Sequence, residues 1–249
     1  MKTAQQWLTD LTSGTTQAYP NINRLDMVTG LTVRLATPRK INQANTSLCG
    51  AACLMYCLAS LKDASYAQYV VDLYHTGKAQ LGKLTVKPGD DCKSYKPSAT
   101  KGIHPVDWVA LASLRDSEND FFDYDEPSDE VGGITMPGDL VDWFKDAGFS
   151  KDANFTNFAF TKDEGTIRAV GNRFNQQHSV CLFIHSNLLD DPTEGSWTPN
   201  HWVVLTSHVI IKNKRVTMSV FSWGQILKID LKVDNFCKNF YGYISSSAK

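Results

Sequence analysis

Apolar residues follow two rhythms along the chain. Up to about residue 178 they recur at helical spacing, and beyond it they gather in β-branched and aromatic stretches. The run CGAACLMYCLASL from Cys49 is small or apolar at almost every position. It predicts a helix over about 49–62, with Thr46 or Ser47 as its cap. SYAQYVVDLYHTG (65–77) predicts a second helix closed by Gly77. HPVDWVALASLRD (104–116) starts a third on a proline, TMPGDLVDWFKDAGF (135–149) a fourth with Pro137 near its start and Gly148 at its end, and KDEGTIRAVGNRFNQQH (162–178) a fifth. LTVRLAT (31–37) reads as a short strand ended by Pro38, residues 78–102 as loop, and DSENDFFDYDEPSDEVGG (116–133) as a solvated acidic loop without EF-hand spacing.

The strand-like stretches are SVCLFIHSNLL (179–189), HWVVLTSHVII (201–211), RVTMSVFSWG (215–224), ILKID (226–230) and YGYISS (241–246), with a hairpin turn at KNK (212–214). Helices first and an antiparallel sheet second make an α+β pattern. The expected organisation is one domain over 1–249: an N-terminal extension over 1–40, a helical half over about 41–178 and a sheet half over about 179–249.

Composition narrows the classes. Hydrophobic residues make up 42% of the 249 and charged residues 20%, as in an ordinary globular protein. A net charge of −1 gives neither a nucleic-acid footprint nor attraction to an anionic membrane. No apolar run approaches the ~20 residues of a membrane span. The N-terminal MKTAQQWLTDLTSG lacks the apolar region of a secretory signal, so synthesis and folding in a cytoplasm are expected. The six cysteines are accordingly expected as reduced thiols. Cys49, Cys53 and Cys57 share one helical stripe. No CxxC pair supports zinc, and the expectation names no metal or cofactor.

A cysteine hydrolase needs a thiolate, a base, oxyanion donors and a group that orients the base. Cys49 stands where the apolar helix begins, and the positive end of a helix dipole lowers a thiol pKa. Gly50 beside it leaves room for a substrate carbonyl, and the Gln43 amide is placed to donate to an oxyanion beside the Cys49 N–H. His201 opens a strand directly after the loop DDPTEGSWTPN and is the candidate base. His75 and His178 fall near helix ends, His104 precedes a proline, and His185 and His208 lie inside strand-like runs.

The segment QANTSLCGAA, the distant NHWVVL and the following FSWG, in that order, resemble the papain-like cysteine hydrolase superfamily. The resemblance implies Gln43 as oxyanion donor, Cys49 as nucleophile and His201 as base. It implies a papain-like fold whose helical half carries the Cys and whose sheet half carries the His. PRKINQANTSLCGAACLMYCLA and HWVVL…VFSWG are similar, more narrowly, to papain-like toxin or effector domains of bacteria, some delivered by type VI secretion. About fifty residues in three patches carry the similarity, and residues 65–178 lie outside it.

One departure stands out. Where papain-like enzymes often have Asn before Ser-Trp-Gly, this chain has Phe221. The orienting group is then Ser222, or a carboxylate such as Asp230, or none beyond a Cys–His dyad shielded by Trp223. The adopted reading is the dyad with Ser222 as orienting group. The expected activity is hydrolysis of amide bonds in a peptide, protein or peptidoglycan, by an injected effector made in a bacterial cytoplasm and exported without a signal peptide. An immunity protein and a secretion-machine carrier would be its partners. Glutamine deamidation or transglutamination of target proteins, and a papain-fold binding module without catalysis, are the alternatives.

Overall fold

The computed structural model describes residues 2–97, 102–118, 134–175, 177–195 and 197–248. The architecture is mixed α+β, with a helical N-terminal region and an antiparallel C-terminal sheet. The chain forms two compact units, Met1–Thr135 with Asp146–Gly148, and Met136–Lys145 with Phe149–Lys249.

In the first unit, α1 (Ala4–Ser13) and α2 (Arg24–Ala36) pack with α4 (Asp63–Thr76), so the segment read as an extension is part of a helical core. The expectation of a strand at 31–37 is corrected: these residues end α2, which Asn23 caps by accepting from the Leu25 N–H. Met27, Gly30, Leu31 and Arg34 are its buried positions, the i, i+3, i+4, i+7 stripe of a helix. A seven-residue window centred on Arg34 shows only part of that stripe. Gly30 is required there, because a Cβ would come within 2.6 Å of the His104 ring and 2.7 Å of Val106.

The central helix is α3 (Cys49–Leu61), buried on almost every side, as its unbroken apolar run requires. Helix α4 ends at Gly77, whose φ of 70° lets its N–H reach the Leu73 carbonyl. The stretch read as loop holds a short hairpin, β1 (Ala79–Leu81) with β2 (Leu84–Val86), and one helical turn, α5 (Asp90–Lys93). Next, α6 (Pro105–Asp107), a π-helical stretch (Trp108–Ala112) and α7 (Ser113–Ser117) form the helix expected at 104–116. Most of the acidic loop lies outside the described residues.

The second unit begins with α8 (Pro137–Asp146) and is built on a seven-stranded antiparallel sheet. Its strands are β3 (Phe149–Thr156), β4 (His178–Ile184), β5 (His201–Leu205), β6 (Ile210–Lys212), β7 (Arg215–Ser222), β8 (Gln225–Lys232) and β9 (Phe240–Ala248). Helix α9 (Glu164–Arg173) precedes β4, and α10 (Val233–Cys237) separates β8 from β9. The order is β3-β9-β4-β5-β7, with β6 continuing along the β5 side of β7 and β8 on its other side. The expected strand 201–211 is thus two strands. Leu205 faces Val220 and Ile210 faces Thr217, so residues 206–209 bulge out against 218–219. Strand β3 went unread because its Ser, Lys, Asp and Asn are poor strand formers, and it is held by its pairing with β9.

Residues from β4, β5, β7, β8 and β9 pack with α9 and α10 in one apolar core. Val203 and Leu205 of β5 and Val216, Met218 and Val220 of β7 all belong to it. Strand alternation puts His201 and Ser222 at the ends of those two rows, on the core side of the sheet.

Candidate active site

The first unit carries Gln43 and Cys49 on one loop-to-helix segment. Cys49 is the first residue of α3 and is 2% exposed. Leu48 occupies the cap position and offers no side-chain oxygen to the first-turn N–H groups, whose partial positive charge stays directed at this end of the helix. The expected caps are corrected. The Thr46 hydroxyl donates instead to the Gln43 carbonyl at 2.6 Å, and the Gln43 Nε2 returns a bond to the Thr46 carbonyl at 2.8 Å. Asn42 Oδ1 accepts from the Ala44 N–H at 2.8 Å, and Ala44 sits in the left-handed region at φ 54°. These bonds hold the Gln43 side chain, 5% exposed, in one pose with its second amide hydrogen uncommitted to Thr46.

Gly50 has a different task from the one expected. A Cβ there would lie 2.4 Å from the Thr135 Oγ1 and 2.6 Å from the Thr135 Cβ, so the space is taken by Thr135. All six cysteines are present as thiols, and Cys53 and Cys57 are buried on α3.

The second unit carries His201, Ser222 and Trp223. His201 opens β5 opposite Ile184 and is 4% exposed. The residue before it is anchored twice: the Asn200 N–H donates to the Ile184 carbonyl at 3.0 Å, and Asn200 Oδ1 accepts from the Ser186 N–H at 2.8 Å. The His201 Nε2 lies 2.7 Å from the Ser222 Oγ. The indole of Trp223 stacks on the imidazole, with ring centroids 4.5 Å apart and planes 12° from parallel.

That stack depends on a turn. Ser222 pairs with Gln225, so Trp223 and Gly224 are the two central residues of a tight hairpin, at φ 46° and 73°. Glycine adopts this backbone freely. A Trp there is strained, at a cost on the order of 1–3 kcal/mol that surrounding contacts must hold in place. Burial pushes the His201 pKa down to about 4, so the imidazole is neutral at pH 7.

Phe221 pairs with Val204 and, by alternation, faces away from Ser222 and the His201 side of the sheet. Asp230, the alternative orienting carboxylate, is half-exposed and bonded to Arg215 Nε at 2.9 Å. It pairs with Thr217, five residues down β7 from Ser222, roughly 17 Å along the strand. It does not orient His201.

The sequence reading missed the support beneath the Gln43 loop. The Asp107 carboxylate accepts from the Asn42 N–H at 3.2 Å and is itself held by Arg34. Its only trace in the sequence is one acidic residue within an apolar helical run. Comparison with protein-family models, with curated proteins and with solved structures finds no match to this chain.

Proposed function

We propose that the chain is a cysteine-dependent amide hydrolase of the papain-like kind, with Cys49 as nucleophile, His201 as base, Gln43 as oxyanion donor and Ser222 as the group that orients the imidazole. The observation that carries this reading is the buried His201, bonded through Nε2 to Ser222 and covered by Trp223. A histidine held by one nitrogen and shielded on one face is prepared to exchange a proton at the other.

In the tautomer with its proton on Nε2, the imidazole donates to the Ser222 oxygen and keeps the Nδ1 lone pair for the thiol proton. Because burial keeps His201 neutral, it acts as a general base rather than as half of a preformed ion pair. As the Cys49 sulfur attacks the amide carbonyl, its proton passes to Nδ1. The oxyanion takes hydrogen bonds from the Gln43 amide and the Cys49 N–H. The imidazolium then returns the proton to the leaving amine, the C–N bond breaks and a thioester remains. Water, deprotonated by the same nitrogen, releases the acid and regenerates the thiol.

The substrate class is a peptide, protein or peptidoglycan amide, and the biological role is that of a bacterial effector injected into a target cell, with an immunity protein and a delivery carrier as partners. A papain-fold binding module is the competing reading, favoured by the 2% exposure of Cys49. Intact-protein mass spectrometry after mixing with p-nitrophenyl acetate separates the two. An acetyl group on Cys49 in the wild type, absent from Cys49→Ala and scarce in His201→Ala, supports the hydrolase. No adduct at Cys49 supports the binding module.

A further inference from the structure

Asp107 and Arg34 form a buried ion pair in the first unit. Asp107 is fully buried and Arg34 is 7% exposed. Their contact is two-pronged, Arg34 Nε to Asp107 Oδ1 at 3.2 Å and an Arg34 terminal nitrogen to Oδ2 at 2.6 Å. Removing two charges from water is costly, and a well-packed apolar pair often does as well for stability. The pair therefore calls for a task other than holding helices together.

Its third bond indicates that task. Asp107 Oδ2 also accepts the Asn42 N–H at 3.2 Å. Asn42 in turn holds the Ala44 N–H through Oδ1, and between them lies Gln43, whose amide is tied to the Thr46 carbonyl. Hydrogen bonds thus run from Arg34 on α2, through the end of α6, to Asn42 and Ala44, the two residues that flank the one read as the oxyanion donor. Asp107 also stands immediately before the π-helical stretch Trp108–Ala112, an irregularity that occurs often at functional sites. Burial pushes its carboxyl up to about 6, against the pull of Arg34 and the Asn42 N–H, so a charge is kept where the surroundings disfavour it.

We infer that Asp107, clamped by Arg34, is a positioning residue for the Gln43 loop and sets the direction of the Gln43 amide toward the oxyanion. The inference rests on reading Gln43 as the oxyanion donor of a Cys49-centred site. It extends that reading to a residue that touches no substrate.

The test is a double-mutant cycle on the acylation of Cys49 by p-nitrophenyl acetate, followed as p-nitrophenolate release. The proteins are the wild type, Gln43→Ala, Asp107→Asn and the combination of the two. Circular dichroism and a thermal melt establish that each is folded. Gln43→Ala is expected to slow acylation on the order of 10²–10³-fold. Asp107→Asn is expected to slow the wild type about 10–100-fold, as loss of a supporting partner does elsewhere, with the binding constant for ester little changed. In the Gln43→Ala background the same change is expected to cost less than about twofold, because its route of action is gone.

Asn42→Ala gives a second reading if Asp107→Asn fails to fold. This substitution keeps the backbone N–H that Asp107 holds and removes the Oδ1 bond to the Ala44 N–H, the next link along the Gln43 loop, and its loss is expected to follow the same non-additive pattern. Equal fold-losses in both backgrounds, or no loss from Asp107→Asn and Asn42→Ala, overturn the positioning role while leaving the hydrolase reading intact. No effect of Gln43→Ala overturns the oxyanion role of Gln43 and this inference with it, and acylation that survives Cys49→Ala overturns the hydrolase reading as well.

Discussion

The Nε2 of His201 and the Oγ of Ser222 lie 2.7 Å apart in a buried setting at the ends of two neighbouring strands. The hydroxyl is fixed because Ser222 is the last residue of β7 before the hairpin turn. The imidazole is fixed because Asn200 anchors the start of β5 and Trp223 covers one ring face. The group bonded to the His201 Nε2 is thus a neutral hydroxyl.

A hydroxyl orients an imidazole and adds little charge stabilisation. Ser222→Ala is expected to slow Cys49 acylation about tenfold or less, while His201→Ala is expected to be nearly as damaging as Cys49→Ala, since residues that act as a unit do not add. Parallel p-nitrophenolate release assays check this. A Ser222→Ala loss as deep as that of His201→Ala would make the hydroxyl essential.

The His201 pKa leaves a mark on acid stability. Its folded value of about 4 lies below the unfolded 6.5, so the neutral ring's contribution is complete above pH 6.5 and falls away as pH drops toward 4. The loss totals about 3 kcal/mol. Asp107, raised to about 6, works in the opposite sense over pH 6 to 3.8, so the wild-type curve alone shows only the difference. Urea melts of wild type and His201→Asn between pH 7 and 4 should show the wild type losing more stability. In Trp223→Ala, water reaches the ring, and NMR titration should find the His201 pKa moved up from about 4 toward 6.5.

Gly50→Ala should destabilise the first unit by about 1–3 kcal/mol through overpacking against Thr135. Thermal melts test it. A melting temperature equal to that of the wild type would return Gly50 to the role first expected of it, space for a substrate.

The candidate site was legible in the sequence where it is local. Gln43, Cys49 and the helix that begins at Cys49 fall within one short segment, and small and apolar residues mark the helix start. His201 was picked out by the strand it opens and Ser222 by the resemblance at FSWG, and the structure brings the two within 2.7 Å. The Asp107–Arg34 clamp was not, because its partners stand 73 residues apart and only the packing of α2 with α6 brings them together. Strand β3 was hidden because backbone pairing, which leaves no apolar signature, holds it in the sheet. The cap of α3 was misassigned because Thr46 spends its hydroxyl on the Gln43 carbonyl.

Expressed in a susceptible bacterium, the wild-type chain is expected to impair growth in the compartment that holds its substrate, and Cys49→Ala is not. Growth curves with and without an added periplasmic signal check this. Rounding or lysis only with the signal points to peptidoglycan amides, and harm only without it points to a cytoplasmic protein. Equal harm from wild type and Cys49→Ala would break the link between toxicity and the thiol.

The central claim is that Cys49 is activated by His201. The most direct measurement is the rate at which iodoacetamide alkylates each of the six thiols at pH 7, read by peptide mass spectrometry in wild type and His201→Ala. Cys49 should react about tenfold or more faster than Cys53 and Cys57, which are equally buried on the same helix, and should lose that advantage in His201→Ala. A Cys49 rate no higher than that of Cys53 and Cys57, or one that His201→Ala leaves unchanged, would contradict the account.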